Sequence, residues 1–188
     1  MNTHEHRALF LDRDGVIIED VGYPHRLEDL RFKEELIPYL KWAAGQGFKL
    51  ISVSNQAGIA RGLFSMEQYQ VFQKEVEKGL RDRGVVLDGV YFCPCHPQGT
   101  VPPYNTDSVN RKPKPGLFLE AQRVFNLDLS RSFMLGDKFS DRIELPGLRC
   151  LILRSRYTEH APEGTFKDID AIFEEISHEI HGNNKLPD

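Results

Sequence analysis

Residues Ala8–Asp20 read ALFLDRDGVIIED. The apolar run Ala8-Leu9-Phe10-Leu11 ends on Asp12-Arg13-Asp14-Gly15, and a second apolar run follows. A short apolar run without a helical period is the pattern of a buried strand. Carboxylates are costly to bury unless something pairs with them. The strand, residues 7–12, therefore runs into acids whose partners must come from elsewhere in the chain.

Outward from this stretch, strands and helices alternate. Helical apolar spacing covers 35–47, and FKLISVSN (Phe48–Asn55) is a second strand ending in small polar residues. Ser65 and Gln68 fit a capping box opening a helix to about Asp82. GVYFC (Gly89–Cys93) is a third strand, and a proline-rich loop, 93–115 with its leading cysteine, follows it. A helix over 117–125, strands over 132–137 and 149–154, and an amphipathic helix over 168–180 complete the pattern. Such alternation predicts an α/β fold, a Rossmann-like parallel sheet with helices on both faces. Residues 7–181 read as one domain between a polar tail, 1–6, and a frayed tail, 182–188.

The composition is that of an ordinary globular chain. Its 188 residues suffice for one core, and a net charge of -4 argues against a nucleic-acid binder. The polar start MNTHEHR predicts no signal peptide, and no apolar run reaches the roughly 20 residues of a membrane span. Three cysteines, two of them in one short stretch, argue against a disulfide framework and for a cytoplasmic home.

In parallel sheets, ligands bind at the carboxyl ends of strands near a switch in strand order. Asp12, Asp14, Ser54, Asn55 and Asp137 all fall at predicted strand ends. Three carboxylates at one edge repel and call for a cation, and oxygen ligands select a hard one, magnesium. Lys112 in RKPKPG and the Ser54 hydroxyl add phosphate-binding groups. A carboxylate aimed at phosphorus can form an aspartyl-phosphate, and a second can move the proton. Each element alone is more often a turn, a cap or a charged loop. Their joint occurrence, each beside a strand end or a helix start, favours a site.

The motifs FLDRDGVI, VSNQAGIARG, RKPKPG and MLGDKFSD resemble those of haloacid dehalogenase superfamily phosphatases, over about Arg7 to Arg154. DVGYPH, NQAGIARGLF and LDGVYFCPCHPQGTV bring the resemblance closer to heptose 1,7-bisphosphate phosphatases and the related histidinol-phosphate phosphatases. The resemblance implies Asp12 as nucleophile and Asp14 as general acid/base. It implies magnesium held by Asp12, the Asp14 carbonyl and Asp137, with Ser54 and Lys112 stabilising the phosphoryl group. Arg111 is expected at the distal end of the substrate. Asp20, Val21, Gly22, Tyr23, Asn55, Gln56, Ala57 and Lys138 are expected to line a sugar-phosphate site. Asp141 either orients Lys112 or caps the next short helix.

The chain departs from this pattern in its loop. Relatives commonly carry zinc on Cys-x-His and Cys-x-Cys pairs. Here the first reads Cys93-Pro94-Cys95-His96, and Ser108-Val109-Asn110 stands in place of the second. Cys93, Cys95 and His96 are therefore not expected to hold zinc tightly. After Asp141, RIELPGLRC replaces an alanine-rich helix. With no large cap domain, the site should be open at the top. The reading is a magnesium-dependent phosphatase for a small phosphorylated sugar, monomeric, with no nucleic-acid or membrane partner. Histidinol phosphate is the alternative substrate, and a non-catalytic phosphate-binding module is the alternative class.

Overall fold

The computed structural model describes residues 5–181. The expected frayed tail, 182–188, and most of the N-terminal one lie outside that range. Ten elements carry the fold: β1 (Arg7–Leu11), α1 (Ile37–Gly45), β2 (Phe48–Asn55), α2 (Ala57–Ala60), α3 (Met66–Asp82), β3 (Gly89–Cys93), α4 (Gly116–Phe125), β4 (Phe133–Gly136), β5 (Arg149–Ile152) and α5 (Ile169–His181). The five strands form one parallel sheet in the order β3-β2-β1-β4-β5.

Both faces of the sheet are buried, which is why the strands read as nearly unbroken apolar runs. Side chains alternate between two cores. Leu9, Leu11, Leu50, Phe133 and Leu135 join residues of α1, α3 and α5 on one face. Ala8, Phe10, Ile51, Val53 and Met134 meet Leu117, Phe118 and Ala121 of α4 on the other. Phe10 and Phe118 pack edge to face, ring centres 5.0 Å apart.

The capping box forms: Gln68 N donates to Ser65 Oγ (3.2 Å) and Ser65 N to the Gln68 side chain (2.8 Å). The first expected helix begins later than its spacing suggests, because Glu34–Leu36 is a 3-10 turn. The short helix α2 and the 3-10 turn at Phe139–Asp141 have no periodic signal at all. Because β2 and β4 leave β1 in opposite directions, the switch in strand order lies at the carboxyl end of β1, and Asp12 stands there.

Candidate active site

Asp12 follows β1 directly and continues its ladder, donating its N–H to Leu135 O (2.9 Å). It is buried, as are Lys112, Asp137 and Asp141. Lys112 supplies the pairing that Asp12 needs. Its ammonium sits 3.0 Å from Asp12 Oδ1 and 2.7 Å from Asp141 Oδ1, and it donates to Val53 O at 2.7 Å. The ammonium is thus ion-paired with two carboxylates and hydrogen-bonded to one carbonyl. Burial opposes the charge on Lys112, but Asp12 and Asp141 outweigh it and raise its pKa.

Asp12 Oδ1 also accepts from Arg13 N at 2.8 Å. That oxygen is committed to two donors, whereas Oδ2 has only Lys138 Nζ, at 3.9 Å. Oδ2 is the oxygen with lone pairs to spare for an electrophile. Gly15 follows the second acid with φ +95, and a Cβ there would lie 2.2 Å from Asp137 Oδ2. Only glycine lets this turn approach the third carboxylate.

Asp141 faces Lys112, but no short helix follows for it to cap; it ends the 3-10 turn Phe139–Asp141 and reaches back over it. One carboxylate oxygen faces Lys112, and Oδ2 accepts from the N–H groups of Asp137 and Lys138 (3.1 and 3.0 Å), capping the turn that carries them. Burial and the neighbouring carboxylates Asp12 and Asp141 push Asp137 up to about 7, against the pull of Lys138.

The magnesium donors can be tested on this geometry. Oxygens of Asp12, Asp137 and Asp141 lie within 4.8 Å of one another, the sole such group of three or more among the described residues. The Lys138 ammonium gathers Asp14 O (3.2 Å), Asp137 Oδ1 (3.1 Å) and Asp12 Oδ2 (3.9 Å). Those three oxygens are the set expected for magnesium, they are hard donors, and they already converge on a positive charge. The residues fit the ion. Asp141 is the less suitable donor because Lys112 and two backbone amides occupy it.

Asn55 and Gln56 act mainly as struts. Asn55 exchanges hydrogen bonds of 3.0 Å with the N–H and C=O of Lys112, tying the end of β2 to the lysine loop. Gln56 donates to Asp14 Oδ2 (3.2 Å) and Ser54 Oγ (3.1 Å) and accepts from Arg13 (3.0 Å). Arg13, unassigned by the motif reading, is buried and grips Asp14 through Nε (2.6 Å) and NH2 (3.0 Å). Its guanidinium also lies over the rings of Phe72 (5.1 Å) and Tyr69 (5.5 Å).

A cavity of about 420 Å³ opens above these groups, lined among others by Asp12, Asp14, Lys112, Lys138 and Arg111. Asp20, Gly22, Tyr23, Asn55, Gln56 and Ala57 line it too. Val21 does not; it is exposed and faces a neighbouring cavity. Ser140 and Tyr157 line the pocket without having been anticipated. The one clue to Tyr157 was that it follows β5 at the carboxyl edge of the sheet. Arg111 is half-buried and donates to Cys95 O at 3.2 Å, which holds it at the pocket wall.

The ligand atoms of Cys93, Cys95 and His96 do not form a metal-sized group with any third Cys, His, Asp or Glu of the described residues. Cys93 is packed in the core under α4. The two ring nitrogens of His96 face Gln98 N (3.0 Å) and Arg61 NH2 (3.3 Å). The loop is held instead by Thr100 and Val101 N–H groups on Ala60 O (2.7 and 3.0 Å) and by His96 N on Tyr104 O (3.0 Å).

No protein-family model matches the chain. It is similar to the D-glycero-beta-D-manno-heptose-1,7-bisphosphate 7-phosphatase of Yersinia pestis, 44% identical over 134 residues, 71% of each chain. The D-glycero-alpha-D-manno-heptose-1,7-bisphosphate 7-phosphatase of Photorhabdus laumondii is 35% identical over 167 residues, covering 86% of this chain and 90% of that one. The solved D,D-heptose 1,7-bisphosphate phosphatase of B. bronchiseptica, complexed with magnesium and phosphate, superposes with a TM-score of 0.76. It covers 92% of this chain and 99% of that one; at 22% identity this likeness is one of fold.

Proposed function

The chain belongs to the heptose-1,7-bisphosphate 7-phosphatase family, phosphatases of the haloacid dehalogenase fold, and on that premise we propose its substrate and the work of its residues. The substrate is a D-glycero-D-manno-heptose 1,7-bisphosphate, cleaved at the 7-phosphate. The observation that carries the reading is the Asp12 carboxylate at the strand switch point, one oxygen held by buried Lys112 and the other left uncommitted.

The Asp12 carboxylate attacks phosphorus, the ester P–O bond breaks, and Asp14 gives its proton to the departing sugar oxygen. Asp14 then takes a proton from water, whose oxygen attacks the aspartyl-phosphate, and phosphate leaves as Asp12 is restored. Ser54 and Lys112 stabilise the phosphoryl oxygens. Asp12, the Asp14 carbonyl and Asp137 would hold magnesium, which when bound neutralises charge between these acids and the phosphate. Arg111 pairs with the second phosphate, its planar fork suiting that group. Lys138, Asp20, Gly22 and Tyr23 face the sugar, while Asn55 and Gln56 hold the machinery in place. Val21 belongs to the loop without reaching the pocket.

Residues 7–181 form one phosphatase domain that works as a cytoplasmic monomer. No helix of the described residues is long and apolar enough to cross a membrane, and three free cysteines accord with a reducing compartment. The test is kcat/KM for heptose 1,7-bisphosphate, in both anomers, against histidinol phosphate. A clear preference for the heptose is expected; a preference for histidinol phosphate overturns the assignment.

A further inference from the structure

Beside the catalytic pocket lies a second cavity of about 360 Å³, with Lys33, Arg154 and Arg156 on its walls opposite as many acids, Glu19, Asp20 and Asp137. Two residues line both cavities, Asp20 and Tyr157. They are bonded to each other: the Tyr157 hydroxyl donates to Asp20 Oδ2 at 2.8 Å, across 137 positions of sequence. The partition between the cavities is this pair.

Tyr157 is firmly set. Arg156 NH2 donates to its hydroxyl (2.8 Å) and to Asp20 O (3.0 Å), and stacks over the ring at 4.9 Å. Ser155 Oγ donates to Asp137 O at 2.6 Å, and buried Thr158 closes the turn on Ser155. On the pocket side, Lys138 Nζ lies 4.7 Å from the ring centre and 3.0 Å from Asp20 Oδ2. Asp20 also accepts from Gly22 N at 2.8 Å, which sets the bend of the substrate loop. One phenol thus fixes both the anion that orients Lys138 and the loop that faces the sugar.

We propose that Tyr157 is a specificity-determining positioning residue, which aims Asp20 and Lys138 at the sugar and bars larger alcohols from the neighbouring cavity. The first half rests on the heptose reading above; the second does not. Tyr157→Phe keeps the wall and loses the hydroxyl. It should raise KM for the heptose bisphosphate by roughly tenfold or more, as for a lost hydrogen bond to a charged group. The loss on p-nitrophenyl phosphate, which carries no sugar, should be markedly smaller, so that the ratio of kcat/KM between the two substrates moves against the heptose. Tyr157→Ala removes the wall and joins the cavities, which makes room for a bulkier polar alcohol such as a nucleoside. It should gain activity on AMP, a gain that Tyr157→Phe does not share. Equal loss on both substrates in Tyr157→Phe, or no loss on either, overturns the positioning role. No gain on AMP in folded Tyr157→Ala overturns the barrier. Failure of the wild-type enzyme to cleave the heptose bisphosphate sinks the substrate reading by itself, and the AMP comparison still decides the barrier.

Discussion

The floor and the rim of the pocket are built on different principles. On the floor, Asp12, Lys112, Asp137 and Asp141 are each at most 5% exposed and tied to one another within about one hydrogen-bond length. On the rim, Tyr23 is 41% exposed, and Arg156, which braces Tyr157 from outside the pocket, has a side chain 56% exposed. Buried charges interact strongly and tolerate no missing partner. Exposed ones are screened, and losing one costs little. The floor therefore decides whether the reaction occurs, and the rim decides on what. Changes to the floor should appear in kcat and stability, and changes to the rim in KM.

The sharpest way to break this contrast is Asp12→Asn. The amide is a poor nucleophile, so turnover should fall by roughly a thousandfold or more while the fold persists. Substantial activity in the purified, folded variant would rule out the covalent route. Lys112→Met comes next. It strands Asp12 and Asp141 without their cation, and breaking a buried pair this way costs about 3–5 kcal/mol. Denaturant unfolding should report that loss alongside the loss of activity. A rim variant with an equal cost would erase the distinction.

The pH response of the floor is the third test. Asp137 has its pKa raised from 3.8 to about 7 by burial and by Asp12 and Asp141. The folded, metal-free chain then holds a proton that the unfolded chain has already released, so its stability falls as pH rises between about 4 and 7. Magnesium takes the ionised carboxylate, so its stabilising shift in melting temperature should be larger at pH 8 than at pH 6. Chelator should remove that shift together with the activity. A shift independent of pH would remove Asp137 from the ligand set.

The smallest effect is expected in the 93–115 loop, which leans on backbone hydrogen bonds. Protein purified without chelator should carry far less than about one zinc per chain, since a structural site wants four ligands. Cys93→Ser should cost about 1 kcal/mol, through core packing alone. An equivalent of zinc that disappears in this variant would make the loop a metal site after all.

Much of the floor was legible because each part is local. A strand pattern that ends on a carboxylate, hydroxyl or amide places that group at the carboxyl edge of the sheet, and alternation makes the sheet parallel. Asp12, Asp14, Ser54, Lys112 and Asp137 could all be placed from short contiguous runs. Short pieces such as α2 (Ala57–Ala60) left no period to read, and the expected ends of longer elements drifted by a residue or two.

Other features depend on contacts between distant parts of the chain. Which Asp12 oxygen is uncommitted follows from where Lys112 arrives. Asn55 becomes a strut because its amide meets the Lys112 backbone, 57 positions on. Val21 turns away because the bend at Gly22 and Tyr23, both with positive φ, swings it toward the other cavity. The sequence by itself determined the sheet, the acids at its carboxyl edge and the chemistry those acids can do, since strand period and residue type are local properties. Only the tertiary structure decided that Tyr157 and Asp20 divide two cavities, because that pairing depends on two loops brought together by strand order.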